Sequence, residues 1–278
     1  MTKQEISLAH SPDSDDAFMF YALATGQVQS DRYSFRHHLS DIETLNRQAM
    51  EGVWDVTAIS IHAYPYVADR YALMSCGASV GDNYGPVVVA KKSMPPAALR
   101  GKRIAVPGKL TTAYLAMKIF EPDFEEVVVP FDQILEEVSQ GKVDAGLLIH
   151  EGQLTYDQQG LHCVIDLGQW WNKEFDLPLP LGGNGIRRAY SAAERAEISE
   201  LLQKSIQFAL DHREKAMGYA LDFARGMDTG LADRFVGMYV NDFTLDFGAR
   251  GRKAVEKLLQ LGKEKGIITC ELPEEIFA

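Results

Sequence analysis

A chain that repeats one strand-to-helix plan at a fixed spacing is constrained to fold as paired units of similar build, and here two separate matches are present. "DIETLNRQAMEGVWDVTAIS", starting at Asp41, and "PFDQILEEVSQGKVDAGLLI", starting at Pro130, lie 89 residues apart and follow one pattern. Ile42, Leu45 and Ala49 correspond to Phe131, Ile134 and Val138, apolar positions spaced to form one face of a short helix. Gly52 and Gly141 then fall where a helix end needs a residue of positive φ, Asp55 and Asp144 follow, and a strand begins. On this register Ile61 corresponds to His150. "LAHSPDSDDAF" from Leu8 and "IAVPGKLTTAY" from Ile104, 96 residues apart, each read as a strand, a turn with Pro and a helix opening on two small polar residues. Asp15 and Asp16 then match Thr111 and Thr112. Any two βα units share some of this pattern, but two matches in the same order at nearly the same offset favour a duplicated α/β scaffold of two lobes.

The crossings between lobes are expected at "NYGPVVVAKK", where Gly85 and Pro86 restrict the turn into a strand, and at the Pro- and Gly-rich "LPLPLGGNGIRR". These two strands would form the hinge. The first lobe then comprises residues 1–86 and 186–278, and the second residues 87–185. After Arg188 the sequence turns helical, opening with a capping box of Ser191 and Glu194, and these helices are assigned to the first lobe as packing.

Charge narrows the range of partners. With 28 basic and 39 acidic residues the net charge is −11, which disfavours nucleic acid and anionic membrane surfaces, and no basic patch offsets it. Nor is there room before Ile6 for a DNA-binding unit, which counts against a transcription regulator. "MTKQEISLAH" has no apolar leader segment, and no run approaches the ~18 apolar residues of a membrane span, so a cytoplasmic location is expected. The three cysteines, Cys76, Cys163 and Cys270, are far apart and read as reduced structural thiols. A homo-oligomer is left open.

In open α/β sheets ligands sit beyond the carboxyl ends of the strands, so two facing lobes bring four turns to one cleft: "HSPDSDD", "AISIHAY", "PGKLTTAY" and "LIHEGQ". Thr111 and Thr112 offer hydroxyls and free N–H groups at a helix start, suited to a carboxylate; the alternative is that one of them is only an N-cap. Asp13, Asp15 and Asp16 beside His10 fit capping and the helix dipole better than metal ligation, and would suit substrate hydroxyls. His150, followed by Glu151, ends its strand on the cleft side, where an imidazole is the side chain best suited to take a proton near neutral pH. A structural histidine is the competing reading, and His10 is the rival base. No nucleophile elbow, phosphate loop or dinucleotide fingerprint occurs, since "LGGNG" lacks a strand-to-helix unit around it.

Seven segments, "SPDSDDAFMFYAL", "DIETLN", "GPVVVA", "VPGKLTTAY", "GLLIHEGQLTY", "VIDLGQWW" and "LPLPLGG", spread in order over most of the chain, resemble the 1,4-dihydroxy-6-naphthoate synthases of the futalosine route to menaquinone. The resemblance implies a two-lobed fold like that of type II periplasmic binding proteins. It also implies a carbon–carbon lyase acting on cyclic dehypoxanthine futalosine, with no cofactor and no metal. Carried over by position, the proton acceptor falls on His150, and the ligand-contacting segments on Ala58, Ile59 and Ser60 and on Thr111, Thr112 and Ala113. The chain departs from the pattern at "SPDSDDAF", where many members read S-P-C-P-N-D-T-F, and at Ala58, where some carry Lys. Two readings compete: a carboxylate-binding protein of the same fold without chemistry, and a sister enzyme resembling the chorismate dehydratases.

Overall fold

The computed structural model describes residues 2–224 and 227–277. The chain opens as β1 (Gln4–His10), α1 (Ser14–Ala24), β2 (Tyr33–Leu39), α2 (Ile42–Glu51), β3 (Val56–Ser60), β4 (Tyr71–Leu73) and β5 (Ser79–Gly81). It continues as β6 (Val87–Ala90), β7 (Arg103–Val106), α3 (Thr112–Phe120), β8 (Glu125–Val128), α4 (Ile134–Ser139), β9 (Ala145–Leu148), β10 (His162–Asp166) and α5 (Leu167–Phe175). It closes with β11 (Leu179–Arg187), α6 (Ala192–Asp211), α7 (Arg213–Ala220), α8 (Thr229–Tyr239), α9 (Asp242–Leu245) and α10 (Gly248–Glu264).

Two sheets form. The first runs β2-β1-β3-β11-β4, with β5 also paired to β11; the second runs β10-β6-β9-β7-β8. In each, parallel strands joined through a helix make the βαβ units that the duplicated pattern predicts: β1 with β2 and β3, and β7 with β8 and β9. The repeated glycines end their helices in the left-handed conformation, Gly52 at φ 69° and Gly141 at φ 74°. The repeated aspartates also do the same job. Asp55 accepts the Ser7 N–H at 2.9 Å and Asp144 the Arg103 N–H at 2.9 Å, each tying the start of one strand to its parallel neighbour.

The second match needs correction at its turns. β1 is joined to α1 by residues 11–13, whereas β7 is joined to α3 by residues 107–111. The N-caps are therefore Asp13 and Thr111, and Asp15 and Asp16 lie within the first turn of α1 rather than at the position of the threonines. The longer turn presses on α2: a Cβ at Gly108 would stand 2.3 Å from the Glu43 carboxylate, which also accepts the Leu110 N–H at 3.2 Å.

The chain leaves the first sheet between β5 and β6 and returns between α5 and β11, over residues 82–86 and 176–178. Each short crossing contains a non-glycine residue of positive φ, Asn83 at 66° and Asp176 at 53°, the two residue types that tolerate this conformation best. α1 is buried nearly all round because α6, α7 and α8 pack on it. The capping box forms, with Ser191 Oγ accepting the Glu194 N–H and the Glu194 carboxylate accepting the Ser191 N–H. The C-terminal helices reach further than packing on the first sheet: α10 lies against both β11 and α3, and α8 against β5 and the turn Glu151–Leu154. One apolar core cluster, containing Ile59, Tyr71, Leu73, Val88, Leu115, Leu147 and Trp171, is accordingly continuous across both sheets. Among the described residues no helix is long and apolar enough to cross a membrane.

Candidate functional site

A cleft lies where the turns after β1, β3 and β7 meet β11 and α8. Ser11, Asp13, Asp15 and Asp16 line it from the start of α1; Ala58, Ile59 and Ser60 from β3; and Thr111, Thr112 and Ala113 from the start of α3. Ile149, Leu181, Asn184, Phe235 and Tyr239 complete much of the wall.

At the α3 end both hydroxyls are already committed. Thr111 Oγ1 donates to the Gly108 carbonyl at 2.8 Å and accepts the Tyr114 N–H, as an N-cap does. Thr112 Oγ1 donates to the Leu181 carbonyl and accepts the His62 N–H at 3.1 Å, joining α3 of one sheet to β11 and the turn after β3 of the other. What remains for an anion is the backbone. Thr112 and Ala113 occupy the first two helical positions, whose N–H groups have no carbonyl within the helix to bind. The hydroxyls predict a carboxylate seat; with both committed, the groups left at this end of α3 are two backbone amides at the positive end of a helix dipole. Thr112→Val, which keeps the shape but orphans the buried His62 N–H and the half-buried Leu181 carbonyl, is expected to cost about 2 kcal/mol in urea unfolding, against about 1 kcal/mol for Thr111→Ala, which loses only a cap.

Ser60 is held by Asn46, a fully buried residue on α2. The Asn46 amide donates to Ser60 Oγ at 3.0 Å, and its carbonyl oxygen accepts the Ser60 N–H at 2.8 Å. Ser60 itself lines the cleft.

The α1 end is acidic. Ser11 serves two carboxylates, donating its Oγ–H to Asp13 and its N–H to Asp16 at 2.6 Å. Burial first, and then the charge of Asp13, push the Asp15 carboxyl up to about 7; burial and Asp15 hold Asp16 well above the usual carboxylate range.

Three of the expected site residues do not line the cleft. His10 is 4% exposed, lies stacked on Phe20 at 4.4 Å, donates from Nδ1 to the Ser11 carbonyl and accepts at Nε2 from His37 Nδ1 at 3.0 Å. Burial and then His37 lower it to about 3, so it is a neutral packing group rather than a rival base. His150 is 6% exposed. Its Nε2–H donates to the Phe131 carbonyl at 2.8 Å and its Nδ1 accepts the Gly152 N–H at 3.0 Å, which caps the turn Glu151–Leu154. In this arrangement neither nitrogen faces the cleft, and the neighbouring Ile149 lines it instead. Glu151 stands 3.6 Å from His150 Nδ1 and acts electrostatically on Asp15.

Sequence reasoning missed Asn46, Asn184 and Tyr239. Asn46 and Asn184 could have been noticed as polar residues set in an apolar helix face and in a Gly-rich strand, whereas Tyr239 arrives from a distant helix and carries no local signal.

Residues 6–264 match the family model described as menaquinone biosynthesis. The chain is 40% identical over 274 residues, 99% of both chains, to a 1,4-dihydroxy-6-naphthoate synthase of Thermus thermophilus. A crystal structure of a protein from Archaeoglobus fulgidus superposes with a TM-score of 0.91 at 49% identity, covering 95% of this chain and 98% of that one. The alkanesulfonate-binding protein SsuA of Xanthomonas axonopodis pv. citri superposes with a TM-score of 0.72 at 12% identity, over 100% of this chain and 97% of its own. That last likeness shows a periplasmic-binding-protein fold and nothing of the ligand.

Proposed function

The chain belongs to the menaquinone biosynthesis family, and from that premise we propose that it is a 1,4-dihydroxy-6-naphthoate synthase. The reading is a carbon–carbon lyase that acts in the cytoplasm, needs no cofactor and takes cyclic dehypoxanthine futalosine, a small carboxylate, as substrate. The observation that carries it is the cleft's division into two ends. Thr112 and Ala113 offer amides suited to a carboxylate, the carboxyls of α1 in the other sheet's turn suit hydroxyls, and Ile59, Ile149, Leu181 and Phe235 give apolar wall for a ring system. Residues 87–185 act as one lobe and 1–86 with 186–278 as the other, closing to exclude water and fix the reacting geometry.

His150 takes the proton that starts bond cleavage. Its Nε2–H on the Phe131 carbonyl keeps Nδ1 as the unprotonated nitrogen. Substrate must displace the Gly152 N–H from Nδ1, a yielding of the turn Glu151–Leu154, and the Glu151 carboxylate then stabilises the imidazolium. Incubating purified protein with cyclic dehypoxanthine futalosine is expected to give the naphthoate. His150→Ala should lower kcat by about 100-fold or more while keeping substrate binding. Binding by the wild type without turnover would make the protein a carrier, and full turnover by a folded His150→Ala removes that residue from the chemistry.

A further inference from the structure

The turn Glu151–Leu154 is tied to His150 by two bonds of different kinds. The Gly152 N–H donates to the ring at Nδ1, and the Gln153 N–H donates to the His150 main-chain carbonyl at 2.9 Å. Proton transfer to Nδ1 needs the first bond broken. It also needs the second kept, because that bond holds the main chain from which the ring projects. Neighbouring residues of one short turn can part in this way only if one of them is held independently of the other. Gly152 has no side chain to hold it: a Cβ there would stand 2.7 Å from His150 Cε1 and 2.8 Å from Leu135 Cδ1.

Gln153 is held, and from outside the turn. It is 6% exposed, and its Oε1 accepts the Tyr239 hydroxyl at 2.8 Å. Among the described residues that hydroxyl is the only partner of the amide, since Nε2 has none. Tyr239 is the last residue of α8, and that helix end is itself fixed. The Tyr239 carbonyl accepts from Thr244 Oγ1 at 3.0 Å, and the Met238 carbonyl accepts from the Tyr84 hydroxyl and from the Asn241 amide. The Tyr239 ring stands edge-on to Phe235 at 5.3 Å and to Tyr84 at 6.0 Å. A rigid helix end thus grips one residue of the turn by a single buried bond, and burial raises the phenol so that it keeps the donated proton.

We propose that Tyr239 is a positioning residue for His150: through Gln153 it holds one half of the turn, so that Gly152 can leave Nδ1 while the imidazole keeps its place. The proposal rests on the lyase reading above. Tyr239 and Gln153 belong to the segments 186–278 and 87–185 assigned to opposite lobes, so the bond is made when the lobes meet, and His150 is held for reaction in the closed arrangement. Without the hydroxyl the turn moves as one piece, and the Gln153 N–H leaves the His150 carbonyl together with Gly152. The imidazole then loses its orientation while the cleft wall is unchanged, so the loss falls on kcat rather than on KM.

Tyr239→Phe keeps the ring and removes only the hydroxyl. Its kcat is expected to fall about 10-fold with KM within about threefold. Gln153→Met should do the same, and the double variant should also lose about 10-fold rather than 100-fold, because both changes remove one bond. Stability distinguishes positioning from packing. Tyr239→Phe leaves a buried amide without a partner, whereas the double variant removes both polar groups, so the urea midpoint should drop in the single variant and recover in the double one while kcat stays low in both. A kcat that recovers together with the midpoint marks a structural role and overturns the proposal, as does Tyr239→Phe retaining more than half of kcat, or losses that multiply in the double variant. Hydrogen exchange of the ligand-free protein supplies a measurement independent of turnover. The amides of residues 151–154 should exchange about 10-fold faster in Tyr239→Phe than in the wild type, and equal rates overturn the proposal. Absence of naphthoate with the wild type defeats the lyase reading, and the exchange rates then decide separately whether Tyr239 pins the turn.

Discussion

Gly168→Ala is expected to lower the unfolding free energy by about 3 kcal/mol, the upper part of the usual range for overpacking, because the added methyl meets backbone rather than a side chain that can swing away. A Cβ on Gly168 would stand 1.9 Å from the Tyr84 carbonyl oxygen and 2.5 Å from Gly85 N. Gly85 meets the same surface from the other side, its own Cβ position lying 2.9 Å from Gly168 Cα. This pair of glycines is where the crossing 82–86 touches the first turn of α5, and the Leu167 N–H donates to the Pro86 carbonyl at 2.9 Å beside it. The methyl must push the crossing away from α5 or lift α5 off its cap, Asp166, which accepts the Gly168 N–H at 2.8 Å. Either movement also shifts Pro86, which lines the cleft. Urea unfolding should therefore show a lower midpoint, and turnover of the folded fraction should fall with it. A midpoint unchanged from the wild type would mean that the crossing is free to move away from α5.

Acid should weaken folding at histidines buried in the neutral form, and the difference a single one makes is measured most cleanly at His62. It is 3% exposed, its Nδ1–H donates to the Thr111 carbonyl at 3.2 Å, and burial lowers it to about 4. The folded state thus holds this proton less tightly than the unfolded chain does. Its contribution is present above the ordinary histidine value of 6.5 and is lost as pH falls toward 4, a difference on the order of 3 kcal/mol. Asp15 works in the opposite direction over part of this range, since its raised value makes folding less favourable as pH rises toward 7. The wild type alone can therefore look nearly flat. The gap between wild type and His62→Asn isolates the term, because the carboxyls are common to both. That gap should shift against the wild type by on the order of 3 kcal/mol between pH 6.5 and 4 in urea unfolding. A gap constant over that range would show that the imidazole is solvated or paired.

Much of the scaffold was legible in the sequence. Gly52 and Gly141, with Asp55 and Asp144 after them, marked equivalent helix ends and strand starts, and the aspartates proved to share a hydrogen bond as well as a position. The αL glycine and the strand-tying carboxylate are local requirements, so they leave a local trace. The turns were less legible. Pattern alone aligned Asp15 and Asp16 with Thr111 and Thr112, yet two additional residues in the turn before α3 moved the cap to Thr111 and left the aspartates inside α1. The length of such a turn is set by what it packs on, here Glu43 of α2, which is far away in sequence.

By itself the sequence determined the duplicated α/β plan, the family, and the set of turns that meet at the cleft, because spacing and local conformation are written in consecutive residues. Only the tertiary structure decided which atoms of those turns face the cleft. Neighbouring side chains leaving a strand point to opposite sides, so a single position separates Ile149, which lines the cleft, from His150, whose ring is bonded to Phe131 and Gly152. Likewise Thr111 and Thr112 read as hydroxyl donors until Gly108 and Leu181, brought close by the fold, take both protons and leave only the backbone amides at that helix end.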